Sequence, residues 1–255
     1  MLVAERYEKI VGLVNERGSI RVTELSELCE VTEETIRRDL DRLEAAGRLR
    51  RSHGGAVSVK DLPVLQAEIP YAEREIAYAE EKRRIAEEAV GRIRPKERIL
   101  LDASTTAWYM ARSLPDMPLT VLTNSIKVAT ELAAKEKIEV ISTGGILAQR
   151  SLSYVGPLAE RSLEAYHVDR LFFSCKGVHL ERGVSESNEL QARVKQQMIG
   201  IADEVLLLAD SSKFGQQAFT HVADLSEVGS IITDTRLSAE MQRELAEKGI
   251  AVSLV

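Results

Sequence analysis

Two adjacent arginines, Arg37 and Arg38, lie near the start of a segment with helical periodicity. The planar guanidinium group of arginine can donate paired hydrogen bonds to guanine O6 and N7. Helix-turn-helix proteins contact base edges with the first turns of a recognition helix. The spacing therefore predicts a DNA-reading surface formed by Thr32, Glu33, Glu34, Thr35, Arg37 and Arg38. For the two arginines alone, an ordinary solvated helix face is the alternative.

A basic loop follows this segment and closes on Gly54-Gly55. Its cationic side chains are better placed for DNA phosphates, which orient a protein without specifying sequence. For the histidine, fitting the turn is the alternative to touching a phosphate. The predicted phosphate contacts are Arg48, Arg50, Arg51 and His53.

Three short helical segments position these residues. Apolar residues recur at helical spacing within residues 4–17, then at Leu25 and Leu28, and then at Ile36, Leu40 and Leu43. The second and third helices have predicted N-caps at Thr23 and Thr32. Residues 48–57 alternate in part, like a small hairpin. Together these features predict a winged helix-turn-helix domain over residues 1–57.

Charge and composition narrow the class of protein. The 255-residue chain has a net charge of −6, which argues against non-specific DNA binding, but basic residues outnumber acidic ones between residues 37 and 60. No apolar run approaches the roughly 20 residues that a membrane helix needs, and the N-terminus lacks a signal-peptide h-region. Cys29 and Cys175 lack metal-ligand spacing. We expect a cytoplasmic protein with free thiols, no metal and no cofactor.

The pattern changes beyond residue 57. Residues 58–72 contain two prolines without helical periodicity and are predicted to be a linker, followed by a helix over residues 72–93. Beyond this helix, β-rich runs alternate with helical stretches. This alternation predicts an α/β domain over residues 73–255, with a largely parallel sheet buried on both faces. The β-rich runs cover residues 99–101, 119–123, 138–141, 170–173, 205–209, 230–232 and 251–254.

Groups of residues along nearly the whole chain resemble the DeoR-type bacterial transcriptional regulators. The N-terminal groups are Thr35-Ile36-Arg37-Arg38-Asp39-Leu40, Leu43-Glu44, Gly47 and His53-Gly54-Gly55-Ala56. The C-terminal groups are Leu101-Asp102-Ala103-Ser104-Thr105-Thr106, Thr123-Asn124-Ser125, Gly144-Gly145, Asp210-Ser211-Ser212-Lys213-Phe214 and Thr233-Asp234. The resemblance implies a regulator of sugar catabolism, usually a repressor. It also implies an effector domain that resembles the ribose-5-phosphate isomerase fold and senses a phosphorylated sugar.

Small polar residues follow three successive predicted strands. Asp102 ends the first strand and Ser104-Thr105-Thr106 opens the next helix, where N–H groups and three hydroxyls could cradle a phosphate. The residues alone favour a plain helix N-cap, whereas the resemblance favours the phosphate cradle. The next two strand ends carry Thr123-Asn124-Ser125 and Gly144-Gly145, and glycines let backbone approach a ligand closely. Each group alone is ordinary turn chemistry, and together they predict an effector site.

Charged residues after the later strands complete the predicted site. Lys176-Gly177 follows a buried run and provides an anion partner, unless the lysine only extends to solvent. Glu186 and Glu189 either accept hydrogen bonds from sugar hydroxyls or cap the following helix, in which Lys195 is expected to face solvent. Lys213, after another strand, is a further candidate ligand contact.

Together with these features, the family resemblance implies a transcriptional repressor that binds double-stranded operator DNA as a homodimer or homotetramer and releases it when a phosphorylated sugar binds. Residues 174–177 and 186–195 resemble regulators of deoxysugar pathways, so the expected effector is a deoxyketose 1-phosphate of a rhamnose or fucose pathway. We expect no catalytic residues, because the DNA-binding segment favours sensing.

Two alternatives stay open. The first is a sugar-phosphate isomerase with a fused DNA-binding head, for which Asp102, Glu186, Glu189 and Asp210 are candidate bases. The second is an activator, or a global regulator without a small-molecule effector.

Overall fold

The computed structural model describes residues 3–17, 19–45, 48–52, 54–57 and 68–255. The chain divides into two compact units, Met1–Leu65 and Gln66–Val255. Two residues singled out from the sequence, Gly47 in the family resemblance and His53 as a phosphate contact, lie outside the described residues.

The first unit combines three helices with a small antiparallel sheet. Strand β3 pairs with both β1 and β2, which gives the order β1-β3-β2. The predicted apolar positions form the core, in which Ile10, Leu25, Ile36 and Leu40 are fully buried. This is the predicted winged helix-turn-helix arrangement. Its elements are α1 (Val3–Arg17), β1 (Ser19–Arg21), α2 (Val22–Cys29), α3 (Glu33–Ala45), β2 (Arg50–Ser52) and β3 (Gly55–Val57).

The two helix starts predicted from threonines have different outcomes. Thr32 caps α3, since its Oγ1 accepts a hydrogen bond from the backbone N–H of Thr35 at 3.3 Å. The prediction for Thr23 is wrong, because α2 begins at Val22 and Thr23 is exposed. Strand β1 runs directly into α2, and the backbone N–H of Val22 donates to the carbonyl oxygen of Gly54 at 2.9 Å. Tertiary pairing therefore replaces a side-chain cap.

A parallel sheet of seven strands organises the second unit, in the order β15-β14-β12-β9-β4-β5-β6. Each of the seven predicted β-rich runs coincides with one of these strands. A hairpin of β7 and β8 and an antiparallel sheet of β10, β11 and β13 are additional to the prediction. The strands are β4 (Arg98–Leu101), β5 (Leu119–Thr123), β6 (Ile138–Ser142), β7 (Ile146–Ala148), β8 (Ser153–Val155), β9 (Val168–Phe173), β10 (Gly177–His179), β11 (Gly183–Glu186), β12 (Ala202–Leu208), β13 (Thr220–Ala223), β14 (Ser230–Thr233) and β15 (Ala251–Leu254).

Helices cover both faces of this sheet, as an all-parallel sheet requires. Leu206 and Leu208 of β12 pack in one hydrophobic cluster, and Leu207 between them packs in the other. Both cysteines are free and buried. No helix in the described ranges is long and apolar enough to cross a membrane. The helices are α4 (Tyr71–Ile76), α5 (Ala79–Gly91), α6 (Thr105–Ser113), α7 (Ile126–Leu132), α8 (Pro157–Leu163), α9 (Glu189–Gly200) and α10 (Ala239–Glu247).

The single helix predicted over residues 72–93 is instead two helices, α4 and α5. The break lies at Tyr78, whose φ of +55° is in the left-handed region. The ammonium group of Lys82 donates to the carbonyl oxygen of Arg74 at 2.6 Å and so satisfies part of the C-terminal end of α4. Ile76, the last residue of α4 before this break, is exposed.

Candidate functional site

The first turns of α3 present the predicted base-reading residues. Glu33 accepts a hydrogen bond from Arg37 Nη2 at 2.6 Å, and Glu34 lies 3.4 Å from Arg38 Nε. The side chains of Arg37 and Arg38 are 48% and 73% exposed, so these are surface ion pairs, which contribute little to stability. Both guanidinium groups are thus accessible at the start of the helix, beside the cap at Thr32.

A buried ion pair fixes α3 against α1. Arg6 Nε lies 2.6 Å from Asp39 Oδ2, and both residues are buried. The hydrogen bond to Asp39 raises the pKa of the Arg6 guanidinium. Because Asp39 directly follows Arg38, this pair positions the exposed side of α3. No local sequence pattern identifies Arg6.

Carboxylates bind two of the arginines predicted to contact DNA phosphates, Arg48 and Arg51. Two nitrogens of Arg48 donate to the Glu8 carboxylate of α1 at 2.8 Å. Arg51 pairs with Asp41 of α3. Arg50 lies in β2, and only its backbone is described. A phosphate contact from Arg48 or Arg51 therefore requires exchange of an internal carboxylate for a phosphate.

The order in which parallel strands are added to the large sheet reverses between β4 and β9. Strands β4, β5 and β6 extend to one side, and β9, β12, β14 and β15 to the other. Ligands of open α/β sheets bind at strand carboxyl ends beside such a switch point. Asp102, fully buried at the end of β4, accepts hydrogen bonds from the backbone N–H groups of Ser104 at 3.0 Å and Ser174 at 3.1 Å. Asp102 therefore joins the ends of the two central strands.

A buried lysine pairs with this aspartate. Lys195 Nζ is 3.2 Å from Asp102 Oδ2 and 2.6 Å from Glu186 Oε1. Burial alone would lower the pKa of Lys195, but the Glu186 and Asp102 carboxylates outweigh burial and hold the pKa above its ordinary value. The prediction that Lys195 faces solvent is wrong, since it is 7% exposed. Its helical spacing from the buried Gln191 and Met198 was a usable signal.

Backbone groups occupy most of the hydroxyls at the helix starts. Ser104 Oγ caps α6 by accepting from the backbone N–H of Ala107 at 3.0 Å, and Ser125 Oγ caps α7 in the same way. Thr123 Oγ1 donates to a backbone carbonyl at 2.7 Å. Asn124 differs, because its Oδ1 is buried without a hydrogen-bond partner among the described residues. Asn124 thus offers an unused acceptor at the end of β5.

Thr105 and Thr106 form the first turn of α6 and are buried. The N–H groups of a first helical turn have no acceptor within the helix, so this turn keeps the donors that a phosphate cradle needs. Gly144 has a φ of +62° and open space where a side chain would lie. At Gly145, by contrast, a Cβ would lie 2.8 Å from the carbonyl oxygen of Val155. Close packing therefore requires Gly145, whereas Gly144 borders free space.

Four cations gather near the carboxyl end of β12. Burial lowers the pKa of Lys82 to about 8; Asp210 opposes this shift, and Lys213 and Arg74 add to it. Burial also lowers the pKa of Lys176, and the same two cations add to that shift. Asp210 caps the short turn that carries Lys213. The predicted Lys176 and Lys213 thus share one cluster with Lys82 and Arg74, which are not among the predicted site residues.

The segment from Glu68 to Arg74 contributes to the same end of the sheet. Helix α4 begins at Tyr71, inside the predicted linker. Tyr71 Oη and the Nε and Nη2 atoms of Arg74 are buried without hydrogen-bond partners in the described part of the chain. Burial raises the pKa of Glu68 above its ordinary value. The two prolines obscure any helical pattern here, so the sequence carries no local signal for these residues.

The structure places two predicted site residues differently. Glu189, the first residue of α9, has a side chain that is 70% exposed and lies 3.6 Å from Arg193. A Cβ on Gly177, in β10, would lie 2.5 Å from the carbonyl oxygen of Gln216. Glu189 therefore lies on the surface, and Gly177 allows close packing of the backbone against Gln216.

Comparison with known families accounts for both units. The family model of the DeoR-like helix-turn-helix domain matches residues 6–61, and that of the DeoR C terminal sensor domain matches residues 77–235. The chain belongs to the DeoR family. The resemblance found in the sequence is thereby confirmed, and this DeoR-family protein is a DNA-binding transcriptional regulator with a sensor domain for a small molecule.

Full-length relatives agree with this family assignment. This DeoR-family chain is 55% identical over its whole length to the uncharacterized HTH-type transcriptional regulator YulB of Bacillus subtilis, covering 98% of that protein. It is 38% identical to the L-fucose operon activator of Haemophilus influenzae, covering 98% of this chain and 99% of the relative. It is 35% identical to the putative aga operon transcriptional repressor of Escherichia coli O157:H7, and the match covers 99% of this chain and 94% of the relative.

The same comparisons decide between regulator and enzyme. The matched families are a DNA-binding and a sensor domain, and these relatives are named as regulators, so this DeoR-family protein is not an enzyme. The match to the structure of ribose 5-phosphate isomerase A of Methanocaldococcus jannaschii covers 54% of this chain and 55% of the isomerase chain, with 18% identity and a TM-score of 0.41. A likeness this remote carries no argument about activity.

Proposed function

We propose that this protein is a cytoplasmic repressor of a sugar-catabolic operon and that a phosphorylated sugar releases it from operator DNA. One observation carries the proposal: polar and cationic groups follow several strands at the carboxyl edge of the large sheet, with Asn124 after β5, Lys176 after β9 and Lys213 after β12. Asn124 Oδ1 is an acceptor for a hydroxyl group, and so is the Glu186 carboxylate, which ends β11 and shares Lys195 with Asp102. The cations are Lys82, Lys176, Lys213 and Arg74.

The positive charge of this cluster favours a phosphorylated sugar over a free sugar. Lys176 and Lys213 repel each other, and a bound phosphate relieves this repulsion and makes charge-assisted hydrogen bonds. A neutral sugar leaves the repulsion in place. The first turn of α6, with Thr105 and Thr106, adds donors for the same anion.

One of the reported relatives supports a deoxysugar pathway. Because the Haemophilus influenzae relative is named an L-fucose operon activator, we propose a deoxyketose 1-phosphate of a fucose or rhamnose pathway as the effector. That name makes activation the alternative to repression, whereas the Escherichia coli O157:H7 relative is named a putative repressor.

For DNA recognition we propose that Arg37 and Arg38 read base edges from the first turns of α3. Winged helices of this size read half-sites, so a homodimer or homotetramer would present paired DNA-binding domains. Effector binding then changes the relative placement of these domains and lowers operator affinity. The proposed phosphate contacts are Arg48, Arg50, Arg51 and His53.

The test is fluorescence anisotropy with labelled DNA from the region upstream of the protein's own gene, and with scrambled DNA as the control. Rhamnulose 1-phosphate, fuculose 1-phosphate, other phosphosugars and the matching free sugars are titrated into the complex. Release by one phosphosugar, but not by its free sugar, is the expected result and names the effector. Tighter binding would indicate an activator instead. Operator binding that no phosphosugar alters would contradict the proposed effector.

A further inference from the structure

We propose that Arg74 binds the anionic group of the effector and thereby makes helix α4 part of the ligand-binding site. The inference rests on the proposed function in taking the effector to be phosphorylated. It assigns ligand binding to a segment outside both family models, which match residues 6–61 and 77–235.

The unpartnered donors of Arg74, Nε and Nη2, lie on the same edge of its guanidinium group. Both are buried without a hydrogen-bond partner among the described residues. A buried donor that has lost water without gaining an acceptor costs free energy, so native proteins rarely leave two on one side chain. This edge carries two parallel N–H bonds, which match two oxygens of one phosphate or carboxylate.

Other arginines of this chain use that edge to bind carboxylates. Arg98 Nε and Nη2 lie 3.2 and 2.6 Å from the two oxygens of Asp169. Arg6 Nε and Nη2 lie 2.6 and 3.3 Å from those of Asp39. Arg74 presents the same edge with no acceptor in the described ranges. The missing partner is therefore an oxyanion.

The surroundings of Arg74 hold it in place and favour an anion. Its guanidinium carbon lies 5.5 Å from the centroid of the Tyr71 ring, a cation–π contact. Lys82 is hydrogen-bonded to the Arg74 carbonyl oxygen and so fixes the end of α4. Burial is the main cause that lowers the pKa of Lys176, and Lys213 and Arg74 lower it further. The Glu68 carboxylate also interacts electrostatically with Arg74, but it accepts no hydrogen bond from the Nε and Nη2 edge. An anion at that open edge relieves the repulsion among the cations.

An effector held by Arg74 would restrain the segment that leads to the DNA-binding domain. Helix α4 has six residues and is the first described helix of the second unit, which begins at Gln66. A helix this short depends on tertiary contacts for its stability. Binding of an anion is therefore expected to slow hydrogen exchange across Tyr71–Ile76.

The test compares the full-length protein with Arg74→Met, Arg74→Lys and a control, Arg84→Met, which removes the same charge from an exposed position on α5. Calorimetric titration measures affinity for inorganic phosphate and for the panel of phosphosugars. We expect Arg74→Met to weaken binding roughly 10- to 100-fold, the range for a lost charge-assisted hydrogen bond. Arg74→Lys keeps the positive charge but not the paired N–H groups, so the loss of affinity is expected to be smaller. Arg84→Met is expected to bind like the wild type.

Stability without ligand separates a binding role from a structural one. Because Arg74→Met removes two buried donors that lack acceptors, the ligand-free variant is expected to unfold at the same or a higher temperature than the wild type. If this variant fails to fold, Arg74→Lys carries the comparison. Phosphate is expected to slow hydrogen exchange of α4 in the wild type and not in Arg74→Met.

The outcomes distinguish the two proposals. If Arg74→Met retains wild-type affinity for a phosphorylated ligand, the inference is overturned and the proposed function stands. If the wild type binds neither inorganic phosphate nor any phosphosugar, both are overturned. Weaker binding that accompanies a loss of ligand-free stability, with wild-type affinity in Arg74→Lys, assigns Arg74 a structural role and also overturns the inference.

Discussion

Lys195 Nζ lies 3.2 Å from Asp102 Oδ2, which links helix α9 to the carboxyl end of β4 at the centre of the sheet. Both residues are buried, and the Glu186 carboxylate shares the same ammonium group at 2.6 Å. One lysine thus compensates two carboxylates beneath the proposed effector site. Removal of that lysine would leave buried negative charge without a partner.

Replacing Lys195 by Met is therefore expected to lower the free energy of unfolding by about 3–5 kcal/mol. Urea unfolding measures the change, and Lys137→Met, at an exposed position, is the control, expected to stay within about 0.5 kcal/mol. Adding Asp102→Asn to Lys195→Met should recover part of the loss, because it removes one uncompensated charge. A double variant whose loss equals the sum of the two single losses would contradict the pairing.

The buried ammonium group of Lys82 predicts a pH dependence of stability. Burial lowers its folded-state pKa to about 8 from the ordinary 10.5. Between these values the unfolded chain binds a proton that the folded chain does not, so the free energy of unfolding rises with pH. Urea unfolding at closely spaced pH values should show wild-type stability increasing relative to Lys82→Met from pH 8 to 10.5 and levelling off below pH 8. A constant difference across this window would argue against a lowered pKa.

The exposed guanidinium group of Arg37 predicts a loss of sequence-specific binding on truncation. Arg37→Ala is expected to weaken operator binding by roughly 1–3 kcal/mol if its fork binds a guanine, with less effect on scrambled DNA. Fluorescence anisotropy on both DNAs measures the difference, with Arg243→Ala on the exposed side of α10 as the control. An equal loss on both DNAs would assign Arg37 to a phosphate.

Two neighbouring glycines provide a matched pair for stability. Gly144 and Gly145 both have positive φ, +62° and +124°, but only Gly145 would bring a Cβ within 2.8 Å of a backbone oxygen, that of Val155. Gly144→Ala is expected to cost roughly 1–2 kcal/mol from backbone strain alone. Gly145→Ala is expected to cost more, because the strand of Val155 must also move. Equal shifts in the thermal unfolding temperature would contradict the packing argument.

Local patterns predicted the elements because local interactions form them. Buried parallel strands appear as short apolar runs, and all seven runs are strands of the large sheet. The third helix was predictable because Thr32 caps it and Ile36 and Leu40 recur on its buried face. The errors arose where a distant group intervened. Gly54 replaced a cap at the start of α2, and Lys82 ends α4 where the pattern continued one helix.

The sequence by itself determined the family, the winged helix-turn-helix, the parallel sheet and the small polar residues at the strand ends. Only the tertiary structure decided which charged groups meet. It buries Lys195 against Asp102, leaves Glu189 on the surface and brings Arg74 to the cation cluster. The physical reason is the strand order: β4 and β9 are distant in the chain but adjacent in the sheet. Charges separated by dozens of residues therefore become neighbours, which no local pattern encodes.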